Sequence, residues 1–261
     1  MPFLTTGELT VHYQFDAAPE KPVLMLSNSL GTDFSMWDPQ AAIFAEHFSL
    51  LRYDTRGHGQ SSAPPGPYSI EQMGRDVLAL LDELKLSRVH FCGLSMGGMI
   101  GQWLGAHAQE RVHSLVLADT AAKVGDDDFW NDRIQTGLRR GMAAAVPFFV
   151  EGWFTEPFRK SSPDVVERIA SVYRRMSPEA FAACCAALRD MDLRADLAKI
   201  CAPTLVVYGA HDMAIPPSES LLLVEAIAGS QGLRLESAHL SNVESPAAFT
   251  KGVLDFLLCH R

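Results

Sequence analysis

The chain of 261 residues contains no apolar stretch long enough to cross a bilayer as a helix, so no transmembrane segment is expected. Its opening, Met1-Pro2-Phe3-Leu4-Thr5-Thr6-Gly7-Glu8, lacks the basic-then-apolar layout of a secretory signal, and a cytoplasmic location is the default expectation. Positive charge is in short supply: 22 Lys and Arg stand against 31 Asp and Glu, a formal net charge of -9. That balance argues against nucleic acid or an anionic membrane surface as partner. It also means that an anionic small molecule must be met by a local positive group, against the average field. Cysteine is sparse and unpatterned. Cys92, Cys184, Cys185, Cys201 and Cys259 are odd in number and show no C-x-x-C spacing, which argues against a disulfide framework or a zinc site. Internal repeats and low-complexity segments are missing as well. What is left, 48% hydrophobic and 20% charged residues, describes a globular chain whose length fits one α/β domain carrying an insertion.

The most informative stretch is Gly93-Leu94-Ser95-Met96-Gly97, followed at once by Gly98. Residues 88–92 before it are apolar and β-favouring, with Cys92 as a small core side chain. After it, Met99, Ile100, Trp103 and Leu104 recur at helical spacing. A serine between strand and helix, with glycines two residues before and after, fits a nucleophile elbow. The turn is tight, and side chains at the flanking positions would collide. The elbow lifts the Ser95 hydroxyl clear of the sheet and aims the Met96 backbone N–H, at the positive end of the helix, toward a bound carbonyl.

Strand-like and helix-like segments alternate up to about residue 120, which predicts parallel strands joined by helical crossovers. The strands are read at 9–15, 23–27, 49–54, 88–92 and 113–118, and helical faces begin at Phe34 and span 69–84. The rhythm then changes. Between 126 and 199 there are helical patterns at 134–142, 165–176 and 178–191 and no convincing strand. Alternation resumes with a strand at 203–208, a helix at 218–228, a last strand at 233–237 and a helix at 245–258. The economical reading is one sheet domain, 1–122 and 200–261, interrupted by a helical cap at 123–199 between its sixth and seventh main strands.

A serine becomes a nucleophile only when a base takes its proton, and that base needs a partner to fix its tautomer. Elbow hydrolases order these as serine, acid, histidine. Asp212, in Tyr208-Gly209-Ala210-His211-Asp212, and His239, in Ser237-Ala238-His239, each follow a strand, so all three loops should face one crevice at the carboxyl ends of the sheet. Asp119, which also follows a strand, is the second choice of acid. His211 sits beside Asp212 in sequence, where neighbours rarely face each other, and His58, in a glycine loop, reads as structural. The second oxyanion donor is expected from the turn after 23–27. By position it is the Leu30 backbone N–H, with Gly31 letting the chain pass close to the substrate.

Together, Gly93-x-Ser95-x-Gly97-Gly98, Asp54-x-Arg56-Gly57-x-Gly59-x-Ser61, Gly209-x-x-Asp212 and the late His239 resemble the α/β-hydrolase superfamily over nearly the whole chain. Most relatives have His-Gly where this chain has Asn28-Ser29. Ser27-Asn28-Ser29-Leu30-Gly31-Thr32 before Met36-Trp37, with Arg52-Tyr53-Asp54-Thr55-Arg56-Gly57-His58-Gly59, resembles 3-oxoadipate enol-lactonases closely. The resemblance implies a mostly parallel eight-stranded sheet flanked by helices, with the cap inserted after the sixth strand. It also implies a small anionic lactone as substrate, opened by water through an acyl-enzyme on Ser95, with no metal or organic cofactor. The substrate's free carboxylate then calls for an arginine, which grips carboxylates in bidentate fashion. Arg133, in Trp130-Asn131-Asp132-Arg133-Ile134, is the first candidate, with Arg139, Arg140, Arg174 and Arg175 competing, and Trp130 and Trp153 as expected pocket walls. General carboxylesterases, C–C bond hydrolases of ring-fission products and a ligand-binding receptor on the same fold remain open. A haloalkane dehalogenase is disfavoured because those enzymes carry Asp at the position of Ser95.

Overall fold

The segments whose near-continuous apolar character predicts burial on both faces form the middle of one sheet. The computed structural model describes residues 2–260, and every count below refers to these. The strands are β1 (Phe3–Thr6), β2 (Leu9–Asp16), β3 (Val23–Ser27), β4 (Ser49–Tyr53), β5 (Val89–Leu94), β6 (Val112–Ala118), β7 (Thr204–Gly209) and β8 (Gln231–Leu235). They lie in the order β1-β2-β4-β3-β5-β6-β7-β8, with β1 and β2 antiparallel to their neighbours and all pairs from β4 to β8 parallel. Every residue of β4 and β5 is buried, as expected for strands covered on both faces.

Strand order reverses at β3, whose chain continues to β4 on one side while β5 pairs on the other. This is the switch point at which open parallel sheets bind ligands, outside the carboxyl ends of the strands. In the β3–β5 register Ser27 pairs with Gly93, so the loop beginning at Asn28 and the turn containing Ser95 leave the sheet side by side.

Outside the sheet the helices are α1 (Asp38–Ala45), α2 (Ile70–Glu83), α3 (Met96–His107), α4 (Asp127–Arg140), α5 (Met142–Trp153), α6 (Glu156–Ser161), α7 (Pro163–Arg175), α8 (Pro178–Asp190), α9 (Pro217–Ala226), α10 (Ser241–Glu244) and α11 (Pro246–Leu258). Their starts are chemically marked. Ser69, Asp126, Thr155 and Ser177 each accept the N–H three residues on, satisfying a donor that the helix itself cannot. The helices α4 to α8 all fall between β6 and β7, with α4 packed on α8 and α5 on α7.

The structure corrects the sequence reading at four places. β1 is unread in the sequence because its four residues alternate between exposed and half-buried at the sheet edge. β8 lies two residues earlier than 233–237, since Gln231 and Gly232 pair with Leu205 and Val206 through backbone alone. Helix α4 begins at Asp127 rather than 134, its first turn being the acidic Asp127 and Asp128 rather than part of an apolar stripe. Helix α5 is absent from the reading because Pro147 interrupts an apolar run without clear period, and the six-residue α6 is too short to show one.

Close helix packing depends on one residue without a side chain. A Cβ at Gly74 of α2 would lie 2.1 Å from Trp103 Cε3 of α3. Gly74→Ala is expected to lower stability by about 1–3 kcal/mol through overpacking, read as a lower urea midpoint with an unchanged slope.

Candidate active site

Ser95 stands between β5 and α3 at φ 56 and ψ -117, a left-handed conformation for a residue with a side chain. The close quarters explain the glycines. A Cβ at Gly93 would lie 2.1 Å from Gly97 O, and one at Gly97 would lie 2.2 Å from Ser27 O. The strained residue is held at both ends by the end of β6 and the residues that follow it: the Ser95 N–H donates to Ala118 O at 2.8 Å and Thr120 Oγ1 donates to Ser95 O at 2.8 Å.

Asp212 follows β7 and His239 follows β8, and the tertiary fold brings them together. His239 Nδ1 lies 2.8 Å from Asp212 Oδ2, while Asp212 Oδ1 accepts the N–H groups of Ala214 and Ile215 at 2.8 and 2.9 Å. A carboxylate can only accept, so Nδ1 carries the proton and Nε2 is left as the basic nitrogen. Burial disfavours the imidazolium, but the Asp212 carboxylate outweighs it, helped by Asp119, and His239 is held above its ordinary value.

Asp119, the second-choice acid, does not take the imidazole. Its Oδ1 accepts the Gly209 N–H at 2.8 Å and its Oδ2 accepts Ser241 Oγ at 2.5 Å, tying the loop that carries Asp212 to the segment just after His239. Burial, with Asp212 close by, pushes its carboxyl up to about 8. Of the rival histidines, His211 is exposed and pairs with Glu236, and His58 is buried away from the cavity.

In the loop after β3, Ser29 O accepts from Thr32, and the N–H groups of Ser29 and Gly31 go to Met36 Sδ and His58 Nε2. Among the described residues no hydrogen bond engages the Leu30 N–H, and that of Met96, first residue of α3, has no acceptor within its own helix. Met96 is fully buried and its side chain does not line the cavity.

Ser29, Leu30, Ser95 and His239 line a cavity of about 180 Å³ from the sheet side. Trp130, Arg133, Phe148 and Trp153 line it from α4 and α5. Trp130 Nε1 donates to Val124 O at 2.7 Å, leaving its ring as an apolar wall. The Arg133 guanidinium carbon stands 3.3 Å from the Phe129 ring centroid and 4.4 Å from that of Phe148. Its Nη1 donates to Phe129 O at 3.0 Å, and no carboxylate pairs with it among the described residues. Burial lowers its pKa, the sign of a cation lacking a close counter-charge. The competing arginines lie outside the cavity: Arg174 pairs with Glu167, Arg175 donates to Ser171, and Arg139 and Arg140 end α4 in solvent.

The sequence reading did not single out Phe129, Phe148, Glu151 or Met213, all at this cavity. Phe129 was within reach, since it lies one helical turn before Arg133. Phe148 and Glu151 lie on α5, whose existence the periodicity concealed.

The family model described as the alpha/beta hydrolase fold matches residues 22–246. The chain is 42% identical over 250 residues to 3-oxoadipate enol-lactonase 2 of Acinetobacter baylyi, covering 96% of this chain and 94% of that protein. It is 34% identical to 3-oxoadipate enol-lactonase 1 of the same organism, covering 92% and 90%. The crystal structure of the enol-lactonase from Burkholderia xenovorans superimposes with a TM-score of 0.97 at 42% identity, covering 98% of this chain and 100% of that one. A family match across the sheet and the inserted helices, with relatives this similar along their whole length, means that the chain belongs to the α/β-hydrolase fold family.

Proposed function

We propose that this protein is a serine hydrolase that opens 3-oxoadipate enol-lactone to 3-oxoadipate, the reaction named for its enol-lactonase relatives. The observation that carries the substrate is Arg133: a guanidinium without an internal carboxylate partner, flanked by two phenyl rings, in the cavity that also holds Ser95 and His239. Such a group suits the free carboxylate of the lactone, and a desolvated, preorganised guanidinium binds it more strongly than a surface one.

In this reading Ser95 Oγ attacks the lactone carbonyl while His239 Nε2 takes its proton, and Asp212 steadies the imidazolium. The N–H groups of Leu30 and Met96 receive the oxyanion, each contributing about 3 kcal/mol by analogy with comparable donors. Collapse of the tetrahedral intermediate expels the enol oxygen, which takes the proton back from His239 and tautomerises to the ketone. Water, deprotonated by His239, then releases 3-oxoadipate from Ser95. These steps need neither metal nor organic cofactor. Residues 123–199 act as a lid over a core formed by 1–122 and 200–261, with Trp130 and Trp153 as apolar walls. The net charge of -9 supports the finer expectation of an enzyme without nucleic-acid or anionic-membrane partners. Among the described residues no helix is long and apolar enough to cross a membrane.

Ser95→Ala should abolish turnover of freshly generated enol-lactone, a loss of about 10⁶ in kcat. Lactone opening that survives the substitution would sink the acyl-enzyme, and hydrolysis of neutral aryl esters without lactone opening would sink the substrate. Arg133→Ala should raise KM for the lactone about 10- to 100-fold and leave a neutral aryl ester unaffected, since only the former loses a charge-assisted contact. Equal losses on both substrates would make Arg133 a packing residue. The base must be neutral to act, and His239 is held above the ordinary imidazole value of 6.5, so kcat/KM should fall below a midpoint higher than 6.5. Asp212→Asn removes the carboxylate that favours the imidazolium. It should therefore move that limb to lower pH and reduce the plateau by about 10⁴.

A further inference from the structure

The loop Asp54-Thr55-Arg56-Gly57-His58-Gly59-Gln60-Ser61 contributes nothing to the lining of the cavity, yet it is tied to the oxyanion loop at two points. Asp54 Oδ1 accepts the Phe34 N–H at 2.9 Å, and His58 Nε2 accepts the Gly31 N–H at 2.9 Å. On its other side the His58 ring faces a carbonyl, with Nδ1 3.0 Å from Arg56 O. These partners fix the protonation of the ring. A backbone N–H can only donate and a carbonyl can only accept, so the proton sits on Nδ1 and Nε2 is a lone-pair acceptor. Burial pushes the imidazole down to about 4, which keeps it neutral over the working range.

The residue that His58 holds is the pivot of the turn. Gly31 has φ +78, and a Cβ there would lie 2.3 Å from Tyr173 Cδ2 of α7. Gly31 is thus pressed from one side by Tyr173 and bonded to His58, one peptide beyond the Leu30 N–H. Nothing else in the turn bonds to Gly31 N–H, whereas the neighbouring N–H of Thr32 is satisfied within the turn by Ser29 O.

We infer that His58 is a positioning residue of the oxyanion hole: its neutral imidazole, anchored on Arg56 O, holds the Gly31 peptide and so aims the Leu30 N–H at the developing oxyanion. His58 touches no reacting atom and acts through Gly31. The inference rests on the reading of Leu30 N–H as an oxyanion donor, and an imperfectly aimed donor loses its value in the transition state more than in the ground state.

Two amides separate the two bonds of the ring. The side-chain oxygen of His58→Gln reaches the place of Nε2 and keeps the Gly31 bond. The side-chain nitrogen of His58→Asn reaches only the place of Nδ1 and keeps the Arg56 bond. With enol-lactone, His58→Gln should stay within about threefold of wild-type kcat, and His58→Asn should lose about 10- to 100-fold in kcat with KM unchanged. Phosphonylation of Ser95 by a 4-nitrophenyl alkylphosphonate, counted as released 4-nitrophenolate, should slow by a similar factor in His58→Asn, because the phosphoryl oxygen uses the same donors. Thermal midpoints of both variants accompany the kinetics, and His58→Met replaces the Asn variant if that one does not fold. Wild-type kcat and labelling in His58→Asn, equal losses in Gln and Asn, or a loss confined to KM would each overturn the inference. A wild type that is labelled at Ser95 but leaves the lactone intact would remove the substrate alone, with the positioning role then decided by the labelling rates. A wild type that is not labelled overturns both.

Discussion

Ser95 is held at φ 56, ψ -117, a backbone conformation that costs a non-glycine residue about 1–3 kcal/mol and persists only where its surroundings over-determine it. The surroundings that do so are the end of one strand. Ala118 O takes the Ser95 N–H and Thr120 Oγ1 holds the Ser95 carbonyl, so the end of β6 and the turn after it grip the strained residue from both sides. Asp119, between them, is itself left-handed at φ 46, and its carboxyl receives Gly209 N–H and Ser241 Oγ. Ala118, Asp119 and Thr120 therefore touch the segments that carry Ser95, Asp212 and His239. Because β6 sits in the middle of the sheet and is buried along most of its length, this support has no soft side from which to relax.

The same economy of support appears on the other flank of the cavity. β3 and β5 are paired in register through Ser27 and Gly93, so the loop after β3 and the turn holding Ser95 start from adjacent points on a rigid sheet. Gly97 can lie against Ser27 O only because it has no side chain. What the sheet supplies in this way is relative position, which no single loop could maintain against its own conformational freedom.

Charge works at two ranges. The chain as a whole is negative, and its average field disfavours an anion. Within the cavity, however, Arg133 has been stripped of part of its water by Phe129 and Phe148 without receiving an internal counter-charge. In that low-dielectric setting a short-range contact to a carboxylate outweighs the screened long-range repulsion from surface acids. The acidic surface and the single arginine of the cavity are thus compatible, since they act over different distances.

How much of this the sequence disclosed follows from whether a feature is local. The elbow was legible because its glycines stand at fixed places around Ser95, Gly93 crowded by Gly97 O within the turn and Gly97 by Ser27 O of β3, and the buried strands were legible because burial on both faces leaves continuous apolar runs such as 23–27 and 203–208. The helices at 69–84 and 178–191 were legible through their apolar spacing, whereas α4, capped by Asp126, was read only from 134. The edge strand β1 left no trace and the start of β8 was misplaced by two residues, because backbone pairing at an exposed edge makes few demands on side chains, and α5 was hidden by Pro147 within an unpatterned run. Asp212 and His239 were named from strand-end positions and chain order, but that it is Asp212 and not Asp119 that meets the imidazole is set by loops 27 residues apart in sequence. Likewise, the sequence offered five candidate arginines with Arg133 ahead by position alone, and the packing of α5 against α4 set Arg133 between two rings in the cavity. Sequence by itself determined the fold class, the strand–turn–helix setting of Ser95 and a short list of candidate partners, because these follow from local turn chemistry, burial and chain order. Tertiary structure decided which acid, which cation and which loop contacts complete the site, because those depend on distances between segments that no local rule constrains.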